Sequence, residues 1–366
     1  MIRQEIHLIA AARPNFMKIA PLYHALSREV WCRAVIVHTG QHYDYNMSSS
    51  FFRDLRLPEP DFHLEVGSGS HAEQTGRVMI EYEKIAELAH PDWVVVPGDV
   101  NSTLACALAA AKLCIPVVHL EAGLRSGDRR MPEEINRLAT DAIADVLWTP
   151  SADADANLLR ENVAAEKIDR VGNFMIDSYE MLRAPIAAAK TVERMALSGR
   201  QYAVVTLHRP ANVDSAPSLT SLITQLSSAS SSLPMVFAVH PRTRKRLDEF
   251  GLMATLENCA NIKLTEPLGY IEFMNLVSNA AVVVTDSGGV QEETTYLGIP
   301  CLTLRDTTER PITIEEGSNR LVQPHALMDA LGDVLNGRSR TGRRPALWDG
   351  KAALRAVDAL RRRANR

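Results

Sequence analysis

The sequence predicts an α/β protein of two similar halves, each built on a parallel sheet covered by helices. Three observations carry this. Short β-branched runs alternate with helical segments along most of the chain, as at residues 93–97, 202–207 and 281–285, the pattern of parallel strands joined by crossover helices. The alternation pauses after about residue 172 and restarts at Tyr202. A length of 366 residues is long for one core and natural for two domains.

The first half begins with Ile6-His-Leu-Ile-Ala10, which reads as a buried strand, followed by a helix whose start is flanked by Arg13 and Lys18. Residues 35–37 form a second strand leading to Thr39-Gly-Gln41-His42. Residues 54–70, polar with prolines and glycines, predict a loop. A helix over 72–89 precedes strand 93–97, which ends at Gly98-Asp99 before an alanine-rich helix over 104–113. Strand 117–120 ends at Glu121-Ala-Gly-Leu-Arg. A charged loop runs into a helix that begins near Glu133 and carries Ile135, Leu138 and Ile143, then Val146-Leu-Trp. Residues 171–176 read as the last strand of this half, placing the boundary near 172.

A helical segment over 179–200 bridges into the second half, whose first strand ends at His208-Arg-Pro-Ala-Asn. A helix over 218–226, a serine-rich loop over 227–232 and strand 235–239 follow, the last capped by His240. Strand 262–265 leads to Gly269-Tyr270 and another helix. Strand 281–285 then ends in Asp286-Ser287-Gly288-Gly289 at a helix start. Backbone N–H groups in such a turn, with the positive end of the helix, form a seat for phosphate. Glycines there let an anion approach the main chain, and Glu292 and Glu293, one turn on, are placed to hold ribose hydroxyls. An ordinary βα turn with acidic residues in its helix would look the same on this stretch alone. Residues 300–304 read as the final strand. Helix 324–335, an arginine- and glycine-rich stretch over 336–345 expected to be a mobile loop, and an amphipathic helix over 349–362 close the chain. Two such halves suggest a cleft between them.

Composition excludes several classes. The chain is 46% hydrophobic and 23% charged with net charge −4, so no general attraction to nucleic acid or to an anionic membrane follows. The first apolar run is too short for a signal peptide, and none approaches a bilayer span. Five scattered cysteines read as reduced core residues of a cytoplasmic protein. There is no Gly-x-Gly-x-x-Gly after the first strand, no Walker loop and no paired-histidine metal motif.

Polar groups at the predicted C-terminal strand ends are the functional signal, because open α/β sheets bind ligands at that edge. The first half supplies Arg13, Gln41-His42, Asp99, Glu121, Glu133 and Glu134; the second supplies His208, His240, Gly269-Tyr270, Ser287-Gly288-Gly289 and Glu293. Singly, each has a plain structural role. Asp99 suits a helix N-cap, Pro132 with Glu133 suits a first turn, and a lone histidine suits a core.

The motifs Arg13-Pro-Asn-Phe-Met-Lys-Ile-Ala-Pro, Gly98-Asp-Val-Asn-Ser-Thr, Glu121-Ala-Gly-Leu-Arg, Pro132-Glu-Glu-Ile-Asn-Arg, His208-Arg-Pro-Ala-Asn-Val-Asp, Thr285-Asp-Ser-Gly-Gly-Val-Gln-Glu-Glu and Arg305-Asp-Thr-Thr-Glu-Arg-Pro resemble those of the non-hydrolysing UDP-N-acetylglucosamine 2-epimerases. The resemblance runs in order from about residue 6 to 322. It implies a GT-B-like fold, two Rossmann-like domains around a central cleft that holds the nucleotide sugar, usually in a homodimer. The implied reaction interconverts UDP-N-acetylglucosamine and UDP-N-acetylmannosamine with no cofactor and no metal. It assigns catalysis to Asp99, Glu121, Glu133 and His208, and substrate binding to Arg13, Lys18, Arg137, His240, Ser287, Gly288, Gly289, Glu293 and Arg310. It also implies that the C-terminal helix joins the first domain. The chain departs from the family at Ala11-Ala12, where Gly-Thr is common, and at Tyr43-Asp-Tyr-Asn-Met, where some members carry a glutamine-rich activator segment. Rival readings are an epimerase of a modified sugar such as a uronate, a hydrolysing epimerase, a glycosyltransferase of the same fold, and a catalytically silent nucleotide-sugar binder.

Overall fold

The computed structural model describes residues 3–11, 13–40 and 52–364. It separates into two compact units, Met1–Leu182 with Ala346–Arg366, and Arg183–Pro345.

In the first unit, β1 (Gln4–Ala10), β2 (Cys32–His38), β3 (Phe62–His63), β4 (Trp93–Pro97), β5 (Val117–Leu120), β6 (Val146–Thr149) and β7 (Ile168–Arg170) form one parallel sheet in the order β3-β2-β1-β4-β5-β6-β7. The order reverses between β1 and β4, which opens a crevice beyond their C-terminal ends. Alternate residues of the strands (Val35 and Val37, Val94 and Val96) pack beneath Val78, Tyr82 and Ala86 of helix His71–Ala89. Ser70 starts that helix with a capping box closed by Glu73, which satisfies two otherwise unpaired N–H groups. Helix Asn101–Lys112 buries four alanines and Cys106 in the same layer, small side chains that let helix and sheet approach closely.

The second unit repeats the plan with β8 (Ala203–Thr206), β9 (Met235–Ala238), β10 (Ile262–Thr265), β11 (Val282–Thr285), β12 (Cys301–Thr303) and β13 (Asn319–Leu321), all parallel, in the order β10-β9-β8-β11-β12-β13. Its reversal lies between β8 and β11. Both β8 and β11 are fully apolar on the core side, with Val205, Leu222, Phe237 and Val284 in one cluster.

Several expectations need correction. Residues 171–176 are not a strand: the sheet ends with β7, and helix Phe174–Ala188 begins at once. Gly172, at φ +99°, turns the chain against Leu347, whose carbonyl leaves no room for a side chain at 172. The unit division falls after Leu182, inside that helix, because its first turns are tied to the first unit. Ser178 Oγ donates to the Met17 carbonyl. Residues 227–230 continue helix Ala216–Ser230 instead of forming a serine loop, and Ser230 Oγ bonds back to the Ser227 carbonyl. Residues 301–303 are not the last strand, since Asn319-Arg-Leu adds β13, too short and polar for its pattern to announce it. Short β3 likewise interrupts the loop expected over 54–70. The stretch 336–345 is pinned: Arg340 donates to the Ile314 and Glu315 carbonyls, Arg343 pairs with Glu316, and Arg344 lies 4.1 Å over the Tyr296 ring.

The C-terminal helix Ala352–Ala364 belongs to the first unit. Asp177 accepts the N–H groups of Ala352 (3.0 Å) and Ala353 (2.8 Å) at its start. Burial pushes the Asp177 carboxyl up to about 6, outweighing these bonds. Asp177→Ala is expected to cost about 1–2 kcal/mol, the loss of a helix cap, read as a lower unfolding midpoint. Because the folded value is raised, this carboxyl's contribution to stability is full below its unfolded pKa and fades as pH rises through about 6. The midpoint difference between wild type and Asp177→Asn should shrink over that window.

Candidate active site

In the first unit, the chain leaves β4 at Gly98 with φ +69° and leaves β5 at Glu121, a non-glycine residue held at φ +77°. A non-glycine residue at positive φ is costly, and such strain clusters at functional sites. Lys18, on helix Arg13–Leu26 after β1, is buried and ion-paired with Glu121. A Cβ at Gly98 would lie 2.9 Å from Lys18 Nζ and 3.6 Å from Glu121 Oε2, so the Gly98-Asp99 turn closes directly over that pair. Asp99 pairs with Arg137 Nη1, and its carbonyl accepts from Asn136 Nδ2 at 2.9 Å.

Arg137 and Asn136 come from helix Pro132–Ile143, which packs the wrong way round for a simple amphipathic helix. It buries Glu134, Asn136, Arg137, Thr140 and Asp141 and leaves Ile135 exposed. Glu134 Oε2 receives Arg137 Nη2 at 2.7 Å, and its oxygens take the N–H groups of Ser126 and Gly127. Burial opposes ionisation of Glu134, but these bonds and the Arg137 charge hold its pKa below the usual value. Glu134 therefore aims Arg137, while Glu133 is half-buried beside it.

In the second unit, β11 ends at Asp286, which is fully buried. Its carboxylate accepts the backbone N–H of His208 (3.0 Å) and of Arg209 (2.9 Å), Nδ2 of Asn212 (3.0 Å) and, at 2.8 Å, His208 Nδ1. Burial would raise the Asp286 pKa, but the bonds and charge of His208, with Asn212 and Arg209, hold it low. A carboxylate on Nδ1 fixes that nitrogen as the donor and leaves Nε2 for chemistry. The His240 ring lies 5.4 Å from that of His208, and His240 Nδ1 accepts the Arg242 N–H at the start of helix Pro241–Glu249.

Ser287 is the N-cap of helix Gly288–Leu297, yet its side chain makes no capping bond. The first N–H groups of that helix are thus not claimed by the usual serine oxygen, which suits an anion seat. Gly288 is glycine for a reason the sequence did not suggest. A Cβ there would meet Arg310 Nη1 at 2.6 Å and Glu309 Oε1 at 2.7 Å, both buried. Glu309 binds Arg310 (2.6 Å) and Arg305 (2.8 Å) and faces Arg209 (3.8 Å), while Arg310 Nε reaches Glu292 at 2.9 Å. Burial opposes ionisation of Glu309, but the three guanidinium groups drive its pKa far down. Three cations against two carboxylates place excess positive charge behind the seat. Gly288→Ala is expected to cost on the order of 1–3 kcal/mol by overpacking, measured by calorimetry as a lower unfolding midpoint.

The structure therefore gathers Lys18, Asp99, Glu121 and Arg137 in one unit, and His208, His240, Ser287, Gly288 and Arg310 in the other. Arg13 opens its helix, and Gly289 follows Gly288 in the first turn of the seat. Glu293 accepts the Tyr270 hydroxyl at 2.7 Å, and Glu292 is engaged by Arg310 instead of facing outward for a ribose. Ala12, Gln41, His42 and the 43–47 segment lie outside the described residues. Asp286 and Glu309 were missed as site residues. Each is buried and acts through a neighbour, so only its place in a motif marked it.

A profile of the UDP-N-acetylglucosamine 2-epimerase family matches residues 24–361. A UDP-N-acetylglucosamine 2-epimerase of Methanococcus maripaludis is 43% identical over 339 residues, covering 90% of this chain and 92% of that protein. A UDP-2,3-diacetamido-2,3-dideoxy-D-glucuronate 2-epimerase of Pseudomonas aeruginosa is 40% identical over 322 residues, covering 87% and 88%. The crystal structure of Methanocaldococcus jannaschii UDP-GlcNAc 2-epimerase in complex with UDP-GlcNAc and UDP is similar, with TM-score 0.90, 42% identity and coverage of 98% of this chain and 100% of that one. With a matching profile over most of its length, two parallel-sheet domains and relatives above 40% identity, this chain belongs to the UDP-N-acetylglucosamine 2-epimerase family.

Proposed function

We propose that the protein interconverts UDP-N-acetylglucosamine and UDP-N-acetylmannosamine by eliminating and re-adding UDP. The observation that carries this is the pairing of Asp99 and Glu121 at the ends of neighbouring strands, each against its own cation, Arg137 and Lys18. A carboxylate at each strand end is a group able to accept and return a proton. The C2 proton of a UDP-hexosamine has no adjacent carbonyl and is not acidic, so simple deprotonation is a poor route. In the elimination, a carboxylate takes the C2 proton, the C–H electron pair forms the C1=C2 bond, and the C1–O pair leaves with UDP. Re-addition of UDP to C1, with a proton delivered to the other face of C2, gives the epimer.

In this reading the first unit supplies proton transfer through Asp99, Glu121 and Glu133, with Arg137 holding Asp99. The second supplies the nucleotide seat: Gly288 and Gly289 present N–H groups and Ser287 its hydroxyl to the diphosphate, with Arg310 behind them. His208 Nε2 serves the leaving phosphate, and Arg13, Lys18, His240 and Glu293 complete substrate binding. No helix among the described residues is long and apolar enough to cross a membrane. A cytoplasmic homodimer is part of the proposal, and sedimentation of the purified protein checks the assembly.

The test is proton NMR of UDP-N-acetylglucosamine with the pure enzyme in deuterium oxide. Deuterium at C2 in both epimers is expected. Transfer or hydrolysis without label at C2 of recovered nucleotide sugar would remove the reading. The Pseudomonas aeruginosa relative, named for a diacetamido uronate, favours a second reading in which the substrate is modified at C3 and C6. Running that sugar nucleotide in parallel and comparing kcat/KM decides between them.

A further inference from the structure

His119, on β5, is fully buried, and both of its ring nitrogens are engaged. Nε2 lies 2.7 Å from the carbonyl oxygen of Gly98, and Nδ1 lies 2.6 Å from Asp141 Oδ1. A carbonyl can only accept, so Nε2 donates to it, and a proton must also lie in the short contact with Asp141. The Gly98 carbonyl belongs to the turn that carries Asp99, beyond the end of β4. The second oxygen of Asp141 accepts the Gly123 N–H at 3.1 Å and pairs with Arg125 Nη1 at 2.7 Å. Gly123, at φ +80°, closes the turn that begins with Glu121, and the Ala154 carbonyl lies 2.5 Å from where its Cβ would be. Arg125 is held in turn by Glu161.

One buried carboxylate thus reaches both turns that bear the acidic pair, one directly and one through an imidazole. Burial works against ionisation of Asp141, yet His119 and Arg125 keep its pKa below the usual value. Buried charges of this kind are seldom the most stabilising way to fill a core; apolar side chains of similar volume often do as well or better. What the charges provide is fixed direction, at the two points where the backbone departs from its strands.

We infer that Asp141 and His119 are positioning residues that lock the Asp99 turn and the Glu121 turn into one mutual register. The inference rests on the proposed epimerisation and deepens it by naming what sets the distance between the two carboxylates. Both side chains are buried beneath the turns and spent on their backbone groups and on each other. Misplacement of a reacting group by about 1 Å can cost roughly a hundredfold, so the effect should appear in kcat and leave UDP affinity almost unchanged.

The test compares His119→Asn, His119→Gln and Asp141→Asn. Glutamine can still reach the Gly98 carbonyl from the Nε2 position, whereas asparagine can reach only Asp141. His119→Asn should therefore lose about tenfold to a hundredfold in kcat, and His119→Gln should recover most of it. A role in packing alone would make the two alike, and equal kcat values would overturn the inference. Hydrogen exchange of the segments around Gly98 and Gly123 supplies an arm independent of turnover. It should quicken at both turns in Asp141→Asn and at the Gly98 turn in His119→Asn, against unchanged exchange in β1 and β2. Unaltered exchange at both turns would overturn the positioning role even if another sugar nucleotide proves to be the substrate. Failure of the wild-type enzyme to label C2 counts against the epimerase reading and leaves the exchange result to judge the lock.

Discussion

Replacing Asp99 by Asn, or Glu121 by Gln, is expected to lower epimerisation by two to four orders of magnitude, roughly the range for loss of a general acid or base, while UDP binding survives. Both variants keep size and shape and lose only the ability to carry a proton. Glu121→Gln also takes from Lys18 its carboxylate partner, whereas Arg137 keeps Glu134 after Asp99→Asn. Lys18 is buried, so Glu121→Gln should carry an added stability cost that Asp99→Asn, at a more open position, does not. Thermal melts separate that cost from catalysis. Solvent deuterium at C2 is the sharper readout, since it follows proton transfer itself. Near-wild-type exchange in both variants would sink the assignment of the pair to the C2 proton. Arg137→Lys should fall between, because lysine cannot span Asp99 and Glu134 together as the guanidinium does.

The second large effect is expected at Asp286. Asparagine offers one acceptor oxygen where Asp286 receives two backbone N–H groups, Asn212 and the His208 ring. Its amide N–H groups would face donors, and the His208 ring would lose the partner that fixes its tautomer. Asp286→Asn should lower kcat on the order of a hundredfold or more. If it acts through His208, adding it to His208→Gln should cost little further, because members of one catalytic unit are not additive. Independent, multiplying losses would show that Asp286 serves the fold alone. The pH dependence follows from the direction of the shift. The Asp286 pKa is depressed in the folded protein, so its contribution is present above the unfolded carboxylate value and is lost as pH falls through the folded one. Acid unfolding of the wild type should carry this loss, and the asparagine variant should not.

Strand positions and the turns after them were legible because parallel strands buried on both faces are written as short apolar runs ending in glycine or polar residues. Asp99, Glu121, His208 and the Ser287-Gly288-Gly289 turn all stand at such ends. Helix Pro132–Ile143 shows where that reading stops. The sequence placed Ile135, Leu138 and Ile143 on it; in the fold Ile135 is exposed and the polar face is buried against the first unit's site. Periodicity records how many apolar residues a helix has and where they lie, and carries no information on which polar groups find partners. The arginine-rich stretch 336–345 has the same lesson: its composition is that of a loose loop, and its carbonyl, carboxylate and aromatic partners, in residues 296–316, decide otherwise.

By itself the sequence determined the two parallel-sheet units, the strand ends that carry the reactive side chains, and the family. Only the tertiary structure decided which carboxylates face cations and which are spent on holding the backbone: Glu134 anchors Arg137, Asp286 anchors His208, and Glu309 fills the space at Gly288. The reason is physical. A local pattern fixes backbone conformation through sterics and hydrophobic burial, both readable over a few residues. The job of a buried charge is set by the counter-charges and N–H groups brought to it from distant parts of the chain.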